Sequence, residues 1–272
     1  MNATAISAAH EAPGRPLVSL RGVTKTFSTG TTALAGVDLD IAPGEFISLL
    51  GPSGCGKSTV LRMLAGLADP STGTIDWPQA RVDGAGRPDL DMSFVFQEAT
   101  LMPWGTVARN VWLPLRLKGL SMKAARPRID EALEMVGLGG FADAYPRELS
   151  GGMKMRVSIA RALVTRPVVM LMDEPFAALD EITRQKLNDD LLRLWETFGW
   201  TVVFVTHSVF EAVYLSQRVM VMAARPGRII DGIDVDRAEE TPESWRTSET
   251  YVRLCQRASA SLVSAIAGTD HL

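Results

Sequence analysis

Residues 46–59 read Phe-Ile-Ser-Leu-Leu-Gly-Pro-Ser-Gly-Cys-Gly-Lys-Ser-Thr, and this stretch decides the fold. The apolar run at 46–50 predicts a buried strand, and residues 57–67 have the pattern of a helix. Glycines in the loop between them let the backbone wrap tightly, so that its N–H groups converge on an anion at the positive end of the helix. The stretch therefore predicts a phosphate-binding loop between a strand and a helix.

The same loop fits the pattern G-x-x-x-x-G-K-[ST], which binds nucleoside triphosphates. Lys57 would reach the β- and γ-phosphates, and Ser58 would hold Mg²⁺. The alternative, a Gly-rich turn that arises by chance, is disfavoured by the strand and helix on either side. ATP and Mg²⁺ are the expected ligands, and the residues expected to contact the nucleotide in this loop are Gly51, Pro52, Ser53, Gly54, Cys55, Gly56, Lys57, Ser58 and Thr59.

The thiol of Cys55 lies beside a helix N-terminus and Lys57, and both would favour its thiolate. We therefore expect alkylation of Cys55 to block ATP binding, and ATP to protect the thiol. The second cysteine, Cys255, is expected to be a small packing residue.

A second motif is the apolar run at 168–172, which ends in Asp173 and Glu174. A buried strand delivers two carboxylates at its C-terminal tip, where open α/β sheets bind ligands. Asp173 suits the Mg²⁺ shell, and Glu174 suits activation of an attacking water. Asp-Glu after a strand can also be an ordinary solvated loop, but its position 122 residues after Gly51 (173 minus 51) favours the nucleotide site.

A third motif reads Leu-Ser-Gly-Gly-Met at 149–153 and precedes a helical run that extends to residue 164. It is a second Ser/Gly helix start of the anion-binding kind, although in isolation such a sequence is usually only a cap. A single nucleotide does not need two such anion-binding cradles from one chain. Two cradles are expected if two subunits share each nucleotide and each subunit supplies one cradle.

Taken in order, these motifs resemble the ABC ATPase family over residues 17–235. Gln97 is similar to the family's Q-loop glutamine. That resemblance implies that Gln97 is a ligand of the metal and that it couples the nucleotide site to the membrane subunit. Asp180 resembles the D-loop aspartate, and His207 resembles the switch histidine that contacts the γ-phosphate. Phe27 stands where the family stacks an aromatic ring on adenine, although it could also be an ordinary strand residue.

The resemblance implies two copies packed head to tail as a homodimer. Each ATP would lie between the phosphate loop of one copy and Ser150, Gly151 and Gly152 of the other. The family implies that Lys57, Gln97, Glu174 and His207 carry the catalytic roles. Met153 and Met155 depart from the glutamines usual in the family, and methionine cannot make the hydrogen bonds of an amide.

Strand–loop–helix units around buried strands predict an α/β fold with a mainly parallel sheet. The resemblance implies a P-loop NTPase (RecA-like) core, with an antiparallel β subdomain and a helical signature subdomain. We expect a flexible tail at 1–16, an ABC ATPase domain at 17–235, a helical subdomain at about 98–165, and a C-terminal helical extension at 236–272. A helix is expected to start or bend at Pro127, and one terminal helix is expected at 242–268.

The composition is that of an ordinary globular protein. Its net charge of -3 gives no electrostatic footprint for nucleic acid, and its two cysteines suit a reducing compartment. No stretch approaches the ~18 to 20 apolar residues of a transmembrane helix. If the protein works at a membrane, other chains must therefore provide the span.

Residues 94–111, including Pro103 and Trp104, resemble the nitrate/sulfonate/taurine group of importer ATPases, as do Met153 and the segment 223–229. That group implies two integral membrane permease subunits, an extracytoplasmic substrate-binding protein, and a peripheral place on the cytoplasmic face of the inner membrane. Leu101, Met102 and Trp104 form an apolar cluster that suits a groove for a short permease helix. Alternatively, Trp104 packs inside the helical subdomain.

Three other functions are compatible with parts of the pattern: an exporter subunit, a soluble ABC ATPase of translation or DNA repair, and a non-catalytic scaffold. The single cassette, the lack of sustained heptads and the lack of fused membrane helices argue against the first two. The intact Lys57, Asp173, Glu174 and His207 argue against the third.

Overall fold

The computed structural model describes residues 14–84, 87–237 and 240–267, without the side chains of residues 242, 243 and 267. Its strands are β1 (Val18–Thr26), β2 (Thr32–Ile41), β3 (Phe46–Leu50), β4 (Thr72–Asp76), β5 (Met92–Val95), β6 (Val169–Asp173), β7 (Thr201–Thr206), β8 (Arg218–Ala223) and β9 (Arg228–Asp234). Its helices are α1 (Lys57–Leu64), α2 (Val107–Leu117), α3 (Met122–Met135), α4 (Gly151–Leu163), α5 (Glu181–Phe198), α6 (Val209–Leu215), α7 (Pro242–Thr247) and α8 (Glu249–Ala267), with 3₁₀ turns at Gly139–Phe141 and Pro146–Glu148.

The larger sheet has six strands in the order β5-β6-β7-β3-β8-β9. The first five strands of this order, β5, β6, β7, β3 and β8, run parallel to one another. Strand β9 pairs antiparallel with β8 at one edge. Every residue of β3 and β7 is buried, as the apolar sequence of both strands predicts. Because parallel strands end at the same edge of a sheet, the loops that follow β3, β5, β6 and β7 meet there.

A second, antiparallel sheet has the order β2-β1-β4. It lies next to the hairpin of β8 and β9, since Leu34 of β2 forms a bridge with Gly227. The α/β class and the attached antiparallel layer that the sequence predicts are therefore confirmed.

The helical segment between β5 and β6 begins its three helices at polar caps: the hydroxyl oxygens of Thr106, Ser121 and Ser150 each accept from a backbone N–H one turn on. The cap at Ser121 starts α3 at Met122, so the predicted start at Pro127 is wrong. Pro127 lies inside the helix, where its ring removes only its own N–H from the hydrogen-bond ladder. The alternative, a bend at Pro127, stays a prediction.

The C-terminal stretch forms two helices and not the single predicted helix, because Ser248 is extended (ψ 148°) and its hydroxyl accepts from the N–H of Tyr251 at 3.1 Å. Residue 268, the end of that prediction, lies outside the described residues. The stretch folds back on the core: Trp245 is buried, and the Tyr251 hydroxyl donates to the carbonyl of Phe210 in α6 at 3.1 Å.

Most of the predicted tail, residues 1–13, also lies outside the described residues. The carbonyl of Arg15 accepts a hydrogen bond from the side chain of Gln79. None of the helices in the described part of the chain is long and apolar enough to cross a bilayer.

Candidate functional site

The loop between β3 and α1 has the backbone of an anion cradle. Gly54 and Gly56 adopt φ values of 77° and 95°, in the left-handed region that favours glycine. A Cβ on Gly51 would stand 2.7 Å from the carbonyl oxygen of Met222, and one on Gly56 would stand 2.5 Å from Cδ2 of Leu34. These glycines are therefore required both by the turn and by the surrounding packing.

Lys57, the first residue of α1, folds its side chain back over the loop. Its Nζ donates to the carbonyls of Gly51 at 2.7 Å and Pro52 at 3.0 Å, and lies 3.7 Å from Oε1 of Glu174. The side chain is only 4% exposed. A buried ammonium group held by carbonyls and a carboxylate is in place to meet phosphate oxygens.

Ser58 and Asp173 join the loop to the tip of β6, since Oγ of Ser58 donates to Oδ1 of Asp173 at 2.8 Å. Burial raises the pKa of the Asp173 carboxyl, against the lowering effect of this hydrogen bond. With the amide of Gln97 in the same cavity, these residues supply the hard oxygen donors that Mg²⁺ prefers.

Glu174 and His207 meet across the tips of β6 and β7. Oε2 of Glu174 lies 3.1 Å from Nδ1 of His207, and the Glu174 N–H donates to the carbonyl of Val205 at 3.0 Å. Glu174 has a φ of 46°, an unusual value for a residue with a side chain, and such strain concentrates at functional sites. The backbone turn aims the carboxylate at both Lys57 and His207.

Lys57, Ser58, Asp173 and Glu174 line one cavity of about 580 Å³. His207 is not among its lining residues in the described structure, and it reaches the cavity through its contact with Glu174. The predicted residues that line it are Phe27, Ser53, Gly54, Gly56, Lys57, Ser58, Thr59, Gln97, Asp173 and Glu174. Phe27 stands at its wall with 44% of its surface exposed, and the ammonium group of Lys25 lies 5.8 Å from the centroid of its ring. The ring is therefore partly accessible to a planar ligand.

Four further lining residues were not predicted from the sequence: Thr31, Thr32, Ala33 and Arg225. Thr31 ends the β1–β2 connection, and Thr32 and Ala33 begin β2; this segment lacks a motif of its own. Arg225 stands in an Arg-Pro-Gly turn that the sequence marks only as a turn, and the fold carries it to the cavity from 168 residues beyond Lys57 (225 minus 57).

The signature residues lie elsewhere, because Ser150, Gly151 and Gly152 are absent from the walls of this cavity as the structure describes it. Ser150 caps α4, with its Oγ accepting from the N–H of Met153 at 3.3 Å, and Gly151 is exposed. Asp180 is also outside the cavity. Its carboxylate caps α5 by accepting from the N–H of Thr183 at 3.0 Å, which lowers its pKa.

The expectation of a reactive Cys55 is wrong. The thiol is fully buried, and this burial raises its pKa more than the neighbouring Lys57 lowers it. A Cβ on Gly51 would stand 2.7 Å from the sulfur, so the side chain is packed beneath the loop and does not face the ligand. Cys55 is therefore part of the support of the cradle.

The two methionines at usual glutamine positions are packing residues. Met155 is buried in the main hydrophobic cluster, and Met153 packs against the same cluster from a partly exposed position. Their thioethers fill space between α4 and its neighbours. Neither of them lines the cavity in the described structure.

A separate, apolar groove of about 550 Å³ lies beside α2. Met102 and Trp104 line it together with Arg109 and Arg116 of the helix, and the Trp104 side chain is 75% exposed. The alternative that Trp104 packs inside the helical segment is therefore wrong. Leu101 of the predicted cluster instead packs against the main core.

Trp104 in the groove lies seven positions after Gln97 in the nucleotide cavity (104 minus 97). Arg161 of α4 holds the segment between them, since its guanidinium donates to the carbonyls of Ala99 and Thr100, both at 2.9 Å. Helix α4, which follows the signature, thus contacts the segment that connects the cavity to the groove.

Residues 34–177 match the family model described as ABC transporter. The aliphatic sulfonates import ATP-binding protein of Pseudomonas savastanoi pv. phaseolicola is 48% identical over 221 residues, which are 80% of this chain and 86% of that protein. The nitrate import ATP-binding protein of a Synechocystis strain is 45% identical over 214 residues, 78% of this chain and 79% of that protein.

Among solved structures, the chain is similar to a dimeric ATP-binding cassette in a post-hydrolysis state, bound to ADP and inorganic phosphate. The TM-score is 0.69 at 37% sequence identity, and the match covers 80% of this chain and 99% of that cassette. The similarity therefore extends over the whole length of a cassette with its hydrolysis products in place.

Proposed function

Because this chain belongs to the ABC transporter family, we propose that it is the ATP-hydrolysing subunit of an importer for a small solute of the nitrate, sulfonate or taurine kind. The observation that carries the ATPase assignment is the meeting of Lys57, Ser58, Asp173, Glu174 and His207 at one end of the sheet. The import assignment and the solute class rest on the relatives named for nitrate and sulfonate import.

The proposed reaction is attack of water on the γ-phosphorus of ATP. Lys57 and the N–H groups of the loop would hold the phosphates, and the carboxylate of Glu174 would orient the water and accept its proton. The bond between the γ-phosphorus and the bridging oxygen then breaks, which leaves ADP and inorganic phosphate. His207, held 3.1 Å from Glu174, would contact the γ-phosphate and fix the carboxylate.

The donor set described above fits Mg²⁺, so Ser58, Asp173 and Gln97 are the residues that would hold it. When bound, Mg²⁺ would neutralise charge on the phosphate oxygens. It would also offset the cost of a buried carboxylate at Asp173, whose pKa is raised by burial.

We infer that the active form is a homodimer in which the exposed signature of one copy covers the nucleotide cavity of the other. Ser150, Gly151 and Gly152 have anion-binding geometry at the start of α4 but no contact with the cavity of their own chain. The similar cassette with bound ADP and phosphate is dimeric, which supports the same arrangement here.

The groove at Trp104 is the proposed docking site for a short helix of a permease subunit. Its apolar floor suits such a helix, and the cations of Arg109 and Arg116 suit acidic residues on it. Two such permeases would place the dimer on the cytoplasmic face of the inner membrane, and a substrate-binding protein would deliver the solute from outside.

Uptake measurements test this proposal. A strain that lacks the chain would be given labelled nitrate, taurine and an alkanesulfonate in turn. We expect loss of one uptake activity, restored by wild type but not by Lys57→Ala. Unchanged uptake of all three would refute the proposed solute class and favour other solutes or export.

The docking site has its own test. Trp104→Ala should abolish uptake while the isolated chain keeps its basal ATPase rate. The matched control is Leu117→Ala, since Leu117 is also highly exposed at the end of α2 but does not line the groove. Equal uptake by the two variants would count against docking at Trp104.

A further inference from the structure

The turn between β8 and β9 forms part of the nucleotide cavity's wall. The N–H of Gly227 donates to the carbonyl of Ala33 at 2.9 Å, and the N–H of Ala35 donates back to the carbonyl of Gly227 at 2.9 Å. A Cβ on Gly227 would stand 2.2 Å from the carbonyl oxygen of Cys55. The turn is therefore fixed against both the start of β2 and the phosphate loop.

Arg225 is the cationic side chain that this fixed turn presents. It is exposed between the buried Ala224 and the half-buried Pro226, and it lines the cavity. Within the described part of the chain, its guanidinium has no hydrogen bond or ion pair, whereas that of the nearby Arg228 donates to the carbonyl of Pro226. The cation at 225 is therefore available to a ligand.

The backbone gives a second reason to assign Arg225 a function. Its φ is 55°, in the left-handed region, where a residue with a Cβ is less stable than glycine. A non-glycine residue held in this conformation at the wall of a binding cavity is typical of a functional position.

We propose that Arg225 binds the base and ribose end of ATP, opposite the end held by Lys57. Lys57 and Ser58 line the part of the cavity that would hold the triphosphate. Phe27 lines it beside the start of β2, since its N–H donates to the carbonyl of Thr31 at 2.9 Å. The turn is bonded directly to Ala33, the second residue of β2 and two residues after Thr31 (33 minus 31). Arg225 thus belongs to the same wall as Phe27.

The guanidinium suits this role chemically. Its flat, weakly hydrated face stacks on aromatic rings, and its N–H groups donate to acceptors such as ring nitrogens and ribose hydroxyls. Together, Phe27 and Arg225 would hold the adenosine moiety from two elements that are far apart in the sequence. This inference rests on the proposed binding of ATP in this cavity.

The test compares the affinities of full-length variants for ATP and for inorganic tripolyphosphate, which has neither base nor ribose. Arg225→Gly removes the guanidinium and suits the left-handed backbone, so it should fold normally, and thermal unfolding checks this. We expect it to weaken ATP binding about tenfold and leave tripolyphosphate binding unchanged. Arg225→Lys keeps the charge but loses the planar group, so it should recover only part of the affinity for ATP.

Arg228→Ala is the matched control, since it removes a neighbouring exposed arginine that does not line the cavity, and it should bind both ligands as wild type does. In a double-mutant cycle, Arg225→Gly should cost less in a Phe27→Ala background, because both side chains would hold the same adenosine. Unchanged ATP affinity in Arg225→Gly would overturn the proposal, and so would an equal loss for tripolyphosphate. The ATP affinity of the wild type separately tests the proposed function.

Discussion

Glu174 stands where the electrostatics of the site converge, between the ammonium group of Lys57 at 3.7 Å and the imidazole of His207 at 3.1 Å. Its backbone is held in a left-handed turn by a hydrogen bond to the neighbouring strand. Its carboxylate is therefore positioned beside the phosphate loop, where it could accept a proton from an attacking water.

Glu174→Gln keeps the size of the side chain but cannot accept that proton. We expect ATP to bind with near-normal affinity and to be hydrolysed about 100- to 10,000-fold more slowly, the range for loss of a general base. Steady-state phosphate release and equilibrium ATP binding measure the two effects. Glu131→Gln on the surface of α3 is the control, and a hydrolysis rate near wild type for Glu174→Gln would contradict the assignment.

Cys55 should react slowly with alkylating agents in the folded protein, because its sulfur is buried and its pKa is raised by that burial. Labelling with iodoacetamide near neutral pH should be at least about tenfold slower than in urea, and should accelerate as pH rises. Mass spectrometry of the peptides separates Cys55 from Cys255, whose pKa is raised to about 11. Fast labelling of folded Cys55 would show that the thiol is accessible after all.

At this scale, the position of a residue can be predicted where a local motif fixes it, but its burial cannot. Lys57 and Ser58 are predictable because the loop, strand and helix that position them are contiguous. The burial of the Cys55 thiol is not predictable in this way. The sequence shows the nearby cation of Lys57, but it does not show how Met222 and Leu34 pack around the loop. Arg225 is missed for a similar reason, because only the tertiary fold brings its turn to the cavity.

At the scale of the elements, the two signature glycines at the start of α4 differ in how closely they are packed. Gly152 is buried against α5, and a Cβ there would stand 2.6 Å from Cγ2 of Thr183. A Cβ on the preceding Gly151 would meet only Leu179, at an ordinary 3.7 Å. Packing therefore requires glycine at position 152, whereas the surroundings of Gly151 leave room for a side chain.

Gly152→Ala should lower the free energy of unfolding by about 1–3 kcal/mol through overpacking, whereas Gly151→Ala should leave it nearly unchanged. The midpoints of urea unfolding measure both. Adding Thr183→Ser to Gly152→Ala removes the clashing methyl group and should restore most of the loss. Equal midpoints for the two alanine variants would contradict this packing.

The helix boundaries show how local signals compete. The cap at Ser121 starts α3 at Met122, five residues before Pro127 (127 minus 122). Ser248 divides the terminal stretch into two helices, although the apolar pattern of that stretch continues. The capping hydroxyls of Ser121 and Ser248 accept from backbone N–H groups that would otherwise be unpaired, and they mark the two helix starts.

In the whole molecule, the parallel sheet gathers residues that are far apart in sequence. The carboxyl ends of β3, β6 and β7 bring the phosphate loop, the two acidic residues and His207 to one edge. The sequence predicts that such strands share a sheet, but it does not specify the order β5-β6-β7-β3-β8-β9. That order depends on which apolar strands pack as neighbours. In the described structure the signature at Ser150 lies away from this edge and does not line the cavity.

The most direct test of this shared site mixes two inactive variants. Lys57→Ala removes the ammonium group from the phosphate loop. Gly151→Asp places a negative charge at the signature, where the exposed start of α4 tolerates an acidic residue but a γ-phosphate would be repelled. In a mixed dimer, one of the two nucleotide sites combines an intact phosphate loop with an intact signature.

We expect each variant alone to lack ATPase activity, and the equal mixture to recover part of the wild-type rate. A mixture as inactive as its two components would contradict the account, because it would mean that each chain completes its nucleotide site alone.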